Sequence, residues 1–314
     1  AIGYKTMQQN IGQTSNRGVE LTLNAAILQK KDYSLNFNFN IGFNKNKVDK
    51  LANGISSMSY NSGAFSSDMR GRDDYRVIVG EPLGIVWGYV YDGVYGVDDF
   101  VTYTDENGKT QFQFDKSGNY ILKEGVTDNT YTTASSYGGL RPGAMKLKDQ
   151  DGDHKITEKG DRVIIGRTQP KFTGGFGLSG NYKWFDISAN FNFVVGNDVY
   201  NMDKMVSSQS YRNSYANLRA EMAPVTLGGK AWTYLDQSNG TIITDYETLK
   251  AMNANASYWS AATMSDNNPV PTSWAVEDGS FLRLQNLTVG FTLPKDWTKK
   301  FACNQFRLYC TLNN

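Results

Sequence analysis

The sequence has little with which to build a nucleophilic or metal-hydrolytic active site. His154 is the only histidine, and Cys303 and Cys310 are the only cysteines. A Ser-His-Asp or Cys-His arrangement would have to pass through that one histidine, and a His-ligated zinc centre cannot be assembled. No glycine-rich phosphate loop leads into a helical pattern, and no carboxylate spacing singles out a glycosidase pair. Charge of one sign is lacking as well: 32 Lys+Arg stand against 31 Asp+Glu, a net +1. That balance leaves no electrostatic footprint for nucleic acid. Mean hydropathy is −0.50, and no apolar run is long enough for a membrane-spanning helix. A transmembrane barrel stays open, because only alternate residues of its strands face lipid. The two cysteines would lie along one extended strand, a separation that does not fit disulfide geometry, so both are read as unpaired.

What the sequence does hold is alternation. Over residues 172–182, Phe172, Gly174, Phe176, Leu178, Gly180 and Tyr182 share one parity, with Thr173, Gly177, Ser179 and Asn181 on the other. The phase flips at Lys183-Trp184; Phe185, Ile187, Ala189, Phe191, Phe193 and Val195 then alternate with Asp186, Ser188, Asn190 and Asn192. This predicts two strands of about eleven residues joined by a tight turn, long enough to cross a bilayer when tilted. Residues 16–43 repeat the pattern, with Val19, Leu21, Leu23 and Ala25 before a turn at 29–32 and Tyr33, Leu35, Phe37, Phe39, Ile41 and Phe43 after it. A further strand begins at Ser280, where a parity slip at Gln285-Asn286 predicts a bulge, and Phe306, Leu308, Cys310 and Leu312 mark a last one.

Between these hairpins the period is lost. Residues 44–78, 97–166 and 197–277 read as long polar loops, the first ending before a glycine-punctuated apolar stretch at 80–96, read as a strand with bulges or close backbone approaches. Asn107-Gly108, flanked by Val101, Tyr103, Phe112 and Phe114, predicts a type I′ hairpin inside a loop, and residues 214–223 a short helix. Short turns at one end and long loops at the other give the asymmetry of an outer-membrane barrel. The expected fold is therefore all-β, part of a large antiparallel transmembrane β-barrel with long extracellular loops. The rival is a secreted, calcium-stabilised β-sandwich that binds or hydrolyses polysaccharide, since sandwich strands alternate in the same way.

One local motif carries chemistry. Asp149, Asp151 and Asp153 fall at positions 1, 3 and 5 of an EF-hand-type loop, Lys155 at 7 offers its carbonyl, and Ile156 follows. His154 replaces the usual glycine and Gly160 stands where the bidentate Glu belongs, so Asp161 is taken as the last ligand, with Thr157 assisting. The expected cofactor is Ca2+ or Mg2+, stiffening a loop rather than catalysing. In the third loop Tyr211, Tyr215, Trp232 and Trp259 are candidates to stack on sugar rings, against the simpler reading that the loop aromatics pack on one another.

Several segments in order resemble the carboxy-terminal half of a SusC/RagA-type TonB-dependent transporter of the Bacteroidetes outer membrane. They are the Asn16-Arg-Gly-Val-Glu-Leu21 strand opening, Val79-Gly-Glu-Pro-Leu-Gly84 with Gly88-Tyr89 and Asp92-Gly-Val-Tyr95, Arg141-Pro-Gly143, Asp161-Arg-Val-Ile-Ile-Gly166, Pro170-Lys171, and residues 276–294. The resemblance implies a large plugged barrel of the 22-stranded type, of which residues 1–314 would form the C-terminal part of the wall. It implies an outer-membrane importer rather than an enzyme, working with a SusD-like surface lipoprotein as lid and with TonB, on a glycan, oligosaccharide or peptide. A siderophore or cobalamin receptor of the same barrel type is the nearer alternative. Because the chain opens without a basic or apolar leader and closes in mid-alternation, a signal peptide and further strands are expected to lie outside it; the resemblance implies that the plug, the TonB box and the first part of the barrel do so as well.

Overall fold

The structure, a computed structural model, describes residues 10–62, 73–130, 139–204, 230–236, 238–260 and 270–314. The helix expected at 214–223, together with Tyr211 and Tyr215, lies outside the described residues. Six long strands form one sheet: β1 (Gly12–Gln29), β2 (Tyr33–Leu51), β3 (Phe172–Tyr182), β4 (Phe185–Val195), β5 (Phe281–Thr292) and β6 (Arg307–Asn313). Their spatial order is their chain order, and every neighbouring pair is antiparallel. Such an up-and-down meander is the topology of a barrel wall.

Register turns the alternation of each strand into two unlike faces, because residues directly opposite one another in an antiparallel ladder project to the same side. One rung runs Ala25, Phe37, Leu178, Ala189, Leu287, Leu312 across all six strands. The rung beside it runs Asn24, Asn38, Gly177, Asn190, Asn286, Asn313. The apolar face is thus continuous, with Phe176 stacked on Phe191 at 4.8 Å and Phe185 against Phe291 at 4.8 Å. It is also bare: Val19, Leu21, Leu178, Ile187, Val289 and Leu312 are all exposed, and among the described residues no second sheet covers them. A soluble sandwich would bury this face, so the sandwich expectation fails here.

The bulge expected at Gln285-Asn286 is present, since Asn190 opposes Asn286 while Phe191 opposes Leu284, leaving Gln285 unmatched. The turns behave as expected too, Lys183 taking φ 52° in the β3–β4 turn. Three expectations need correction. β2 does not end near residue 43 but runs to Leu51, paired with β1 from Gly12. Its upper part carries Lys45, Lys47, Asp49 and Lys50; the hydrogen-bonded ladder continues where the apolar pattern stops, because pairing of backbone groups does not depend on an apolar face. The 80–96 stretch is no wall strand. It breaks into Ile85–Gly88 and Tyr91–Val94, and Ile85 and Val86, fully buried as neighbours, cannot belong to a one-sided face. Finally, the Asn107-Gly108 hairpin forms between Thr102–Thr104 and Thr110–Phe112, but only Gly108 takes a positive φ, 78°. A type I′ turn needs two; here Asp105 organises a longer turn instead, its Oδ1 accepting from the N–H of Asn107 and of Lys109, each at 2.9 Å.

The two long connections, 52–171 and 196–280, leave the same end of the sheet and interlock. Asp198–Tyr200 pairs with Val276–Asp278, and Tyr89 bridges to Thr272. The hydrophobic clusters of the protein lie in this layer, not in the sheet. One gathers Tyr89, Met145, Leu147, Ile156, Tyr258, Trp259 and Val270; another gathers Tyr95, Phe100, Phe112, Leu140, Trp232, Tyr246 and Leu249. Both draw on both connections. The helix Tyr246–Met252, capped by Asp245 whose side chain accepts from Thr248 N–H at 2.9 Å, drives Leu249 into the second cluster.

Candidate functional site

The loop layer is the only place in the described chain where charged and aromatic groups converge under burial, and it has three parts. The first is the acidic loop. Asp149 accepts from Gly152 N–H at 2.7 Å and from His154 N–H at 2.8 Å, and Asp153 accepts from Lys155 N–H at 2.8 Å. These bonds curl the chain so that ligand oxygens of Asp149, Asp151 and Asp153 lie within 4.8 Å of one another. Oxygens sharing one calcium at 2.3–2.6 Å lie no more than about 5 Å apart, so this donor set fits a hard divalent cation. Burial opposes the charge on Asp149, but the N–H groups of Gly152, His154 and Asp151 outweigh it and hold the carboxyl below its ordinary range.

Two departures from the EF-hand pattern acquire physical reasons. His154 stands at φ 60°, meeting the sharp turn that glycine usually supplies. At Gly160 a Cβ would overlap the Asp151 carboxylate, so the position of the missing Glu is filled from across the loop. Asp161 is not gathered with the other three. It is fully buried and takes N–H groups from Gln150 at 2.8 Å and Thr157 at 2.7 Å, closing the loop at its base. Lys155 pairs in a parallel bridge with Asp128, which ties the loop to the chain beneath.

The second part is aromatic. Trp259 is fully buried, stacked on Tyr258 at 4.0 Å and 22°, with Tyr91 and Trp274 edge-on at 5.4 and 5.3 Å. Burial pushes the Tyr91 hydroxyl up to about 12. Trp232, also buried, sits against Tyr234. Neither indole turns an open face outward, so these two of the four stacking candidates serve as packing.

The third part escaped sequence reasoning. Arg162, with its side chain 5% exposed, reaches Glu158 at 2.8 Å, the carbonyl of Trp87 at 3.0 Å and the carbonyl of Asp73. Asp74, fully buried, accepts from Ser62 N–H at 2.7 Å and from Ser62 Oγ. This clasp joins segments that spacing cannot relate, because its acceptors are backbone carbonyls 75 and 89 residues away.

No protein-family model matches the sequence. Among curated proteins the chain is 26% identical over 324 residues to TonB-dependent receptor P39 of Formosa agariphila, covering 99% of the chain and 27% of that protein. It is 28% identical over 320 residues to TonB-dependent receptor P3 of the same organism, covering 99% and 25%. Against TonB-dependent receptor SusC of Bacteroides thetaiotaomicron it is 24% identical over 317 residues, covering 98% and 23%. The chain thus spans about a quarter of the length of the curated relatives it matches. Among solved structures it superposes on the RagAB peptide transporter with a TM-score of 0.57 at 19% identity, covering 99% of this chain and 27% of that one. For the RagAB peptide importer in its closed-closed state the TM-score is 0.55 at 19% identity, covering 98% and 27%; at that identity the fold is what is shared. The meander, the bare apolar face and the one-ended loop layer agree with that similarity, which runs along nearly the whole chain: the chain resembles part of a TonB-dependent receptor of the SusC/RagA type.

Proposed function

We propose that residues 1–314 form the C-terminal wall and part of the extracellular mouth of an outer-membrane importer, driven through TonB and closed by a SusD-like surface lipoprotein. The observation that carries this reading is the pair of adjacent rungs, one of apolar side chains left uncovered and one of asparagines and glycine, in a sheet whose long connections fold together at one end. A lipid-facing exterior and a hydrated lumen account for that pair. In this reading the buried Trp232 and Trp259 hold the mouth rigid, Tyr211 and Tyr215 are the stacking candidates for cargo, and the cargo is a glycan, oligosaccharide or peptide. Asp149, Asp151 and Asp153 would hold Ca2+ or Mg2+, with the Lys155 carbonyl nearby and Asp161 bracing the loop. The cation's task would be to cancel three converging carboxylates and stiffen the mouth; no bond chemistry is assigned to it.

The test uses the full-length receptor in its native cells. Detergent extraction of the outer membrane is expected to recover it with a surface lipoprotein, and deletion of the receptor or of TonB is expected to abolish growth on one class of glycan or peptide while leaving growth on its monomers intact. Recovery in the soluble fraction, or unchanged growth on every oligomeric nutrient, would overturn the proposal.

A further inference from the structure

At the loop end of the sheet the two faces of β1 and β2 meet different fates. The face that carries Asn46 and Val48 is covered: Val48 is buried, its carbonyl accepts from Gly80 N–H at 2.8 Å, and Asn46 Oδ1 accepts from Leu83 N–H at 2.9 Å. The opposite face, continuous with Val19, Leu21, Ile41 and Phe43, stays bare. Directly above its last apolar rung, Val19 opposite Phe43, the next two rungs are Arg17 opposite Lys45 and Ser15 opposite Lys47. All three cations are exposed, and among the described residues none forms an ion pair. The nearby carboxylate of Asp49 is taken by Ser15 Oγ at 3.0 Å instead.

Like charges placed directly opposite in a ladder are destabilising, and no carboxylate among the described residues pairs with Arg17 or Lys45 to offset that cost. A recess of ≈ 300 Å³ opens at this point. Arg17, Lys45 and Lys171 line it on its polar side, and Val19 and Phe43 on its apolar side. Phe43 also packs on Phe172 at 5.6 Å, so the apolar floor extends onto β3. Lys171 lies within the field of Asp278 and is the less free of the lining cations.

Resting on the membrane reading above, we propose that Arg17, Lys45 and Lys47 form a docking site for the phosphorylated headgroup of a multiply acylated glycolipid in the outer leaflet. The geometry matches that amphiphile and not a soluble anion alone. A guanidinium offers a two-pronged fit to phosphate, two ammonium groups flank it, and the acyl chains continue down the apolar rungs beneath. Bound lipid would remove the repulsion between Arg17 and Lys45 and fix the upper end of β1 and β2, the strands that carry the first long connection.

The test takes the full-length receptor, purified in mild detergent, and measures binding by native mass spectrometry. The probes are bisphosphorylated lipid A, the same lipid with its phosphates removed, and inorganic phosphate. The expected result is tight binding of the phosphorylated lipid only, weakened about a hundredfold in the Arg17→Gln/Lys45→Gln/Lys47→Gln variant, at roughly fivefold for each cation (about 1 kcal/mol per charge). Arg17→Lys, which keeps the charge but loses the two-pronged fit, is expected to weaken binding, though less than Arg17→Gln does. Equal binding of the phosphorylated and dephosphorylated lipids by the unmodified receptor would overturn the proposal, whatever the variants do. Equal affinity for inorganic phosphate and for the phosphorylated lipid would overturn it as well. A receptor that fractionates with soluble proteins would defeat the membrane reading itself, whereas one that resides in the outer membrane yet ignores the phosphates defeats only the docking site.

Discussion

Leu178 sits midway along β3, flanked in its rung by Phe37 and Ala189, and is 45% exposed. If this face meets hydrocarbon, Leu178→Arg places a charge near the bilayer midplane, which costs about 2–4 kcal/mol in a transmembrane barrel. Its chain neighbour Ser179 projects to the other face, between Asn36 and Ser188. There an arginine meets a hydrated lumen, and Ser179→Arg is expected to cost no more than about 0.5 kcal/mol, as for a surface substitution. Expressed as the ratio of folded to unfolded receptor, the first change amounts to a factor between about 30 and 1,000, and the second to about twofold or less. The assay is guanidinium-induced unfolding of the full-length receptor in phospholipid vesicles, with the heat-modifiable gel mobility of the folded barrel as readout. Equal effects from the two substitutions would refute the assignment of faces, because one residue of register separates them and nothing else does.

The loop layer offers four further outcomes. Trp259→Ala removes the centre of the aromatic cluster and is expected to cost about 3–5 kcal/mol of loop-layer stability, seen as faster hydrogen exchange across residues 85–100 and 258–275 while β3 and β4 keep their protection. Gly143 holds φ 81°, and a Cβ there would overlap the Trp232 indole. Gly143→Ala should therefore cost more than about 2 kcal/mol, the left-handed backbone alone accounting for 1–2 of it, with protease sensitivity at the mouth as the readout. Hydrogen bonds from Tyr246 and then Lys250 hold the Asp98 carboxyl below its ordinary range. A depressed carboxylate contributes stability above its unfolded pKa of about 3.9 and loses it as pH falls through the folded value. Acidification below about pH 4 should then loosen the helix Tyr246–Met252, and Tyr246→Phe should shift that loosening to higher pH, measured by proteolysis across a pH series. Chelation of divalent cations is expected to raise hydrogen exchange across residues 149–161, and calcium to reverse it; Asp151→Asn with Asp153→Asn should make the loop indifferent to both.

Much of the wall was legible before any coordinate. Phe172 through Val195 spelled out strand, turn and strand, and even the bulge at Gln285 followed from a parity slip, because in a sheet with one apolar face the side-chain period is the structure. The grouping of Asp149, Asp151 and Asp153 was legible for a similar reason: alternate residues in a tight turn converge locally, whatever lies around them. What the sequence could not state was anything that depends on partners far away in the chain. Asp161 reads as a ligand by position, yet its two oxygens are claimed by Gln150 and Thr157 N–H groups. Trp232 and Trp259 fit either stacking on sugar or packing within the loop by sequence, and only the two long connections that close over them decide for packing. The strand expected at 80–96 became two short pieces of a loop layer because burial on both sides, not alternation, decides such a segment. Local periodicity determined the sheet and its two faces; only tertiary structure decided that the polar connections fold into a packed mouth, and that Arg17, Lys45 and Lys47 stand together above the apolar rungs, since cross-strand register joins residues that the sequence keeps a hairpin apart.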